Sequence, residues 1–149
     1  MIKKLINSQL DIAQKMQCIF QASYKIEAEL LKATDFPPLK RPLEDYIKSD
    51  HDFLGYSMND VLAGVIEIID KNKYIHIRSL VVHPSFFRQG IARKLMEHVL
   101  NNYETNLFVV ETGVENKPAS KLYLKLGFIE VKQWDTAFGV RKVKFELKK

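Results

Sequence analysis

Cysteine is almost absent from the chain: Cys18 is the only one among 149 residues, which excludes an internal disulfide and a cysteine-based zinc site. Histidine is scarce too, and His51, His76, His83 and His98 show neither HxxxH nor HxxEH spacing, so no metal is expected. With 6 Gly and 5 Pro the chain has too little of either for collagen-like or low-complexity sequence. No apolar run approaches the ~18 residues of a membrane span. Polar residues from 7 to 17 also interrupt any apolar segment behind the basic start Met1-Ile2-Lys3-Lys4, so neither export nor membrane insertion is expected and the cytoplasm is the natural location. Repeats, charge blocks and Gly/Ser linkers are missing, and the length suits one domain, residues 1–149.

What is present is ordinary globular chemistry, 46% hydrophobic and 28% charged, enough for a packed core. Lys+Arg 23 against Asp+Glu 18 leaves a net charge of +5, which favours anionic ligands. There is no Arg/Lys stripe with interleaved aromatics, so a nucleic-acid partner ranks last.

Along the chain, apolar residues Leu10, Ala13, Ile19, Phe20, Tyr24, Ala28 and Leu31 recur at a helical period, and the spacing predicts two helices broken near residues 23–27. A Pro-rich loop, Phe36-Pro37-Pro38 and then Pro42, follows. Residues 53–58, 61–69 and 74–82 read as three strands of a meander joined by polar turns. Ile91, Leu95 and Val99, with Ala92, Met96 and Leu100 beside them, make a helix that begins at Gly90. Leu107-Phe108-Val109-Val110 is a continuous apolar run of the kind that parallel strands bury on both faces. A second amphipathic helix has Pro118 in its first turn, Ala119, Leu122, Tyr123 and Leu126 on its apolar face, and Gly127 at its left-handed stop. Residues 128–134 and 140–147 close the chain as strands that could pair across a homodimer. The order ααβββαβαββ predicts an α/β fold: a mixed, largely antiparallel sheet with one parallel pair and helices on both faces.

Chemistry concentrates where the third strand of the meander, Leu80-Val81-Val82, runs through His83-Pro84-Ser85-Phe86-Phe87 into Arg88-Gln89-Gly90-Ile91-Ala92-Arg93. A short loop that opens a helix presents unpaired N–H groups and the positive end of the helix dipole, and Gly90 and Ala92 leave room for an anion to approach the backbone.

The next segment, Asn116-Lys117-Pro118-Ala119-Ser120-Lys121-Leu122-Tyr123-Leu124-Lys125-Leu126-Gly127-Phe128, resembles the N-x-x-A-x-x-L-Y-x-K-L-G-F signature of the GNAT family of N-acetyltransferases. Leu80-x-Val82-x-Pro84 with Gly90-Ile91-Ala92 resembles the same family's acetyl-CoA motif. The resemblance covers residues 53–134, an acetyl-CoA core, and leaves residues 1–50 as a helical region on the acceptor side. It implies acetyl-CoA as cosubstrate, no metal, and direct attack of a primary amine of a small molecule or peptide on the thioester within a ternary complex. Cofactor contacts fall by that implication on Leu80, Val81, Val82, Arg88, Gln89, Gly90, Ile91, Ala92, Arg93, Asn116, Ala119, Tyr123 and Lys125. One position departs from the pattern: Phe87 stands where the family's phosphate loop has Gln or Arg.

The reaction needs a proton acceptor, an oxyanion donor and a proton for the departing thiolate. Tyr123 is the family's position for the last role, and a phenol near ~10 lies about 1.5 units from a thiol near ~8.5. For the oxyanion, the resemblance implies a backbone N–H of residues 80–82. For the acceptor, Glu67 and Glu111 are carboxylates in apolar strand context, where burial demands a partner or a raised pKa. Glu111, at the end of a buried strand, is placed ahead of Glu67; Glu27, Glu29 and Glu115 are weaker candidates. The spacing of Glu111 and Tyr123 also resembles that of the ribosomal-protein N-acetyltransferases, which makes a protein N-terminus an alternative acceptor. A non-catalytic acyl-CoA sensor is the alternative outside the enzymes, and the net positive charge speaks against polyamines.

Overall fold

Asn59 and Asp60 both take positive φ (49° and 66°), the two-residue turn that matches the twist of a hairpin, and they fold β2 (Asp52–Met58) back onto β3 (Val61–Asp70). A second polar turn, with Asn72 at φ 68°, returns the chain as β4 (Ile75–Val82). In the computed structural model, which describes residues 1–149, this meander lies in one seven-stranded sheet of order β1-β2-β3-β4-β5-β7-β6. The remaining strands are β1 (Ile2–Lys4), β5 (Leu107–Gly113), β6 (Ile129–Asp135) and β7 (Arg141–Lys148). Only β4 and β5 are parallel; every other pairing is antiparallel. The mixed sheet expected from the sequence is present.

Helices cover both faces. On one, α3 (Ile91–Asn102) and α4 (Lys117–Lys125) bury Ile91, Leu95, Met96, Val99 and Tyr123 against Ile66, Ile77, Phe108, Val110 and Phe145. On the other, α1 (Leu10–Leu31) and α2 (Leu43–Lys48) bury Ala13, Met16, Phe20 and Tyr46 against Phe53, Val65 and Val81. No helix is long and apolar enough to cross a membrane.

Two features differ from the sequence reading. The N-terminal helix is one piece of 22 residues, and the second helix is α2, beyond the Pro-rich loop, instead of the part after a break near residues 23–27. Residues 23–27 contain neither Gly nor Pro, and Tyr24 is anchored edge-on to Phe20 and Phe36, so nothing breaks the helix. It stops at Lys32, which turns left-handed (φ 53°) and donates its N–H to Ala28 and Glu29 carbonyls. The other difference is β1, three residues long and tied to β2 through Leu5 N–H to the Phe53 carbonyl and Ser57 N–H to the Met1 carbonyl. A strand that short has no readable alternation. At the far edge, β6 leaves Ile129 and Val131 exposed.

Candidate active site

The parallel pairing of β4 and β5 lasts for three residues, from Ile75 opposite Phe108 to Ile77 opposite Val110. Immediately beyond, the β3–β4 register shifts, with Glu67 opposite Ser79 but Ile68 opposite Ile77, so Arg78 bulges out of the ladder. The two strands then part, and a cleft of about 630 Å³ opens between them. From Arg78 onward the β5-facing edge of β4 has no strand partner, which leaves backbone N–H and C=O groups turned to the cleft.

One wall is built by the starts of α3 and α4. Gly90, the N-cap of α3, has φ 74°, a conformation Gly adopts without strain. Arg88 is left-handed as well (φ 65°), and alternating conformations of this kind turn successive N–H groups into a concave anion seat. A side chain built at Gly90 would meet nothing within 4 Å, so the seat faces open space. At the start of α4 the Asn116 side chain accepts from Ala119 N–H at 3.3 Å, the N-cap bond.

The opposite wall comes from α1, the α1–α2 connection and the β6–β7 turn: Tyr24, Glu27, Leu30, Phe36, Phe138 and Val140 among others. The fit is close where Gly113 ends β5, because Leu31 of α1 occupies the space a Cβ would take. Asn116 spans the two walls, capping α4 with its oxygen and donating Nδ2–H to Glu27 Oε1 at 3.0 Å.

Of the residues singled out in the sequence, Leu80, Val82, Phe87, Arg88, Gly90, Ile91, Ala92, Arg93, Asn116, Ala119, Tyr123, Glu111 and Glu27 line this one cleft, and Glu29 and Glu115 do not. Val81 instead points into the α1-side core, 1% exposed, and Gln89 and Lys125 are exposed away from it. Glu67 lies beneath the wall, 0% exposed. It accepts two bonds from Arg41 (2.8 and 3.0 Å) and one from Ser79 Oγ (2.9 Å), and pairs with His51 Nδ1 (2.7 Å). Burial pushes its pKa up, but the bonds from Arg41 and His51 and the charges of Arg41 and Arg78 outweigh that and hold it below the ordinary carboxylate value. Glu111 is ion-paired with Lys142 at 3.5 Å.

Glu27 has the opposite electrostatics. Burial raises its pKa, against the bonds from Asn116 and Thr112 and the charge of Lys142. Burial likewise drives the Tyr123 hydroxyl well above the ordinary phenol value, and the charges of Glu27 and Tyr24 add to it, so the phenol stays protonated. A signal for Glu27 exists in the sequence. Ala13, Met16, Phe20, Tyr24, Glu27 and Leu31 follow at steps of three and four, so Glu27 interrupts the buried stripe of α1.

No group of His, Cys, Asp or Glu is placed to hold a metal ion. Among known proteins, the chain is 33% identical over 141 residues to the UPF0157 protein YqkA of Bacillus subtilis (strain 168), a match covering 94% of this chain and 41% of that protein. The YncA protein of Salmonella typhimurium, solved with its cofactor acetyl-CoA, superposes with a TM-score of 0.77 at 16% identity over 99% of this chain and 92% of that one. The ribosomal-protein-S18-alanine N-acetyltransferase of Escherichia coli superposes with a TM-score of 0.77 at 19% identity over the same shares. The acetyltransferase (GNAT) domain profile matches residues 26–149, and the chain belongs to that family.

Proposed function

We propose that this protein transfers the acetyl group of acetyl-CoA to a primary amine by direct attack in a ternary complex. The observation that carries the reading is the joining, in one cleft, of an anion seat at Arg88–Arg93, an unpaired β4 edge and a buried phenol. The seat supplies backbone N–H groups for a pyrophosphate, and a pantetheine arm can continue along the free edge of β4 like an added strand. The amine nitrogen forms its bond to the thioester carbon, a β4 N–H steadies the oxyanion, and the C–S bond then breaks. Tyr123 gives the thiolate its proton and is reprotonated from the nitrogen through solvent. The ammonium proton is lost before attack to a carboxylate of the cleft. Glu111 and Glu27 are the two that line it; Glu67, bonded on both oxygens, is assigned the support of the α1–α2 connection.

The test is ligand-dependent stability together with turnover. Acetyl-CoA and CoA should raise the melting temperature well beyond NAD or ATP at equal concentration, since those nucleotides have no pantetheine arm. Free thiol, read with a thiol-reactive dye, should then appear only when an amine is added. Equal shifts from all four ligands would overturn the assignment.

A further inference from the structure

We infer that the acceptor is a small primary monoamine with an aromatic or branched apolar body, its ammonium group held by Glu27 of α1 and its body lying against Leu30, Phe36 and Phe138. The inference rests on the acetyl-transfer reading and specifies its second substrate.

Charge sets the number of amines. Two carboxylates line the cleft, Glu27 and Glu111, and Glu111 is matched by Lys142 at 3.5 Å. Glu27 is bonded instead to a neutral partner, the Asn116 amide, and feels Lys142 only from beyond ion-pair distance, so it is the cleft carboxylate free to take an ammonium directly. A polyamine would bring further ammonium groups toward Arg78 and Lys142, which line the same cleft, and like charges there cost affinity. Glu27 also stands near the reacting groups: its charge is felt by the Tyr123 hydroxyl, and Asn116 ties it to the first turn of α4.

Surface chemistry sets the body. Ile26 and Leu30 are 36% and 45% exposed at the cleft, apolar area that an apolar substrate would cover. Deeper in, Phe36 stands edge-on to Tyr24 on one side and to Phe138 on the other, with ring centroids 5.9 and 6.0 Å apart. The last contact joins the α1–α2 connection to the β6–β7 turn across this end of the cleft, a boundary that suits a compact amine better than an extended peptide. The ammonium of that amine gives one proton to the Glu27 carboxylate, which returns it to water after turnover, so the enzyme ends unchanged.

The experiment measures CoA thiol release by the full chain with phenethylamine, spermidine and an alanine-leading tripeptide, for wild type, Glu27→Gln, Glu27→Asp and Glu111→Gln, with acetyl-CoA affinity measured by calorimetry. Phenethylamine should be favoured in kcat/KM by about 10-fold or more, the scale on which a pocket discriminates by burying one apolar group and avoiding one approach of like charges. Glu27→Gln should lower kcat/KM for it by about 10²-fold at neutral pH, the usual scale for losing a proton acceptor, and recover in part as pH rises, while acetyl-CoA affinity holds and Glu27→Asp retains part of the rate. Glu111→Gln should lose less. Preference for spermidine or the tripeptide, or a Glu27→Gln variant near wild type, overturns the inference and leaves acetyl transfer standing. Failure to bind acetyl-CoA overturns both.

Discussion

Arg41 and Glu67 meet through two hydrogen bonds, 2.8 and 3.0 Å, with the Glu67 side chain 0% and the Arg41 side chain 10% exposed. The guanidinium also lies 4.3 Å from the centroid of the Tyr46 ring, so the cation is wrapped by its counter-ion and an aromatic face. Removing one partner of a buried ion pair strands the other charge, which costs roughly 3–5 kcal/mol. Glu67→Gln, which leaves Arg41 without its counter-ion, should therefore lower unfolding free energy in urea by about that amount, and Arg41→Met by no more than that, since Glu67 keeps His51, Ser79 and Arg78. A loss under about 1 kcal/mol for Glu67→Gln would show the pair to be solvated in solution, as exposed pairs are.

The same carboxylate and Glu27 should leave opposite marks on the pH dependence of stability. Glu67 has its folded pKa below the ordinary value, so its contribution is complete above that value and is lost as pH falls through the folded pKa. Glu67→Gln should flatten the acid limb of a stability-against-pH curve. Glu27 has its folded pKa raised by burial, so its ionisation destabilises the fold as pH rises through that pKa. Glu27→Gln, which can still accept from Asn116, should be more stable than wild type at neutral pH, and the difference should vanish below the ordinary carboxylate value. A variant that gains stability while losing turnover is the signature of a strained functional group. Parallel acid limbs in all three proteins would contradict the two shifts.

Local patterns made much of this legible. The period of Ile91, Leu95 and Val99, Pro118 in a first turn and the stop at Gly127 are short-range signals, and the helices they mark stand where expected. Glu67 could be recognised as a buried carboxylate that needed a partner, because it breaks an apolar run. Its partners could not be named, since Arg41 and His51 lie 26 and 16 residues away and pairing at such separations is set by the packed fold. The contact between Glu27 and Asn116 spans 89 residues. It depends on α1 remaining unbroken to Leu31, the feature on which the periodicity was misleading.

Phe87 allows a direct test of the anion seat. Its side chain is 42% exposed at the cleft, just before left-handed Arg88, and it contributes no donor. Phe87→Arg should tighten CoA binding by about 1 kcal/mol, the scale of a partly exposed charge-assisted hydrogen bond. Calorimetry showing unchanged or weaker binding would assign Phe87 to packing against the pantetheine arm or the acceptor.

The role proposed for Tyr123 meets different energetics in the sequence and in the structure. An ordinary phenol lies about 1.5 units above a thiol, a donation uphill by about 2 kcal/mol. Burial, with the charges of Glu27 and Tyr24, raises the Tyr123 pKa further, and taken alone this makes it a poorer donor. In the proposed reaction, however, the thiolate forms in the same cleft, and desolvation raises a thiol's pKa by the same physics, so the gap does not widen in step with the phenol's shift. In the proposed reaction the hydroxyl is therefore a neutral donor that stays protonated and acts as charge develops on sulfur. Tyr123→Phe removes the donor and keeps the ring packed against Phe128 and Phe145. It should lower kcat by about 10²-fold, within the usual range for a general acid, with acetyl-CoA affinity and melting temperature close to wild type. The loss should be smaller for a thioester whose thiol is more acidic, since that leaving group needs the proton less. An equal loss for both thioesters would mean that Tyr123 only shapes the cleft.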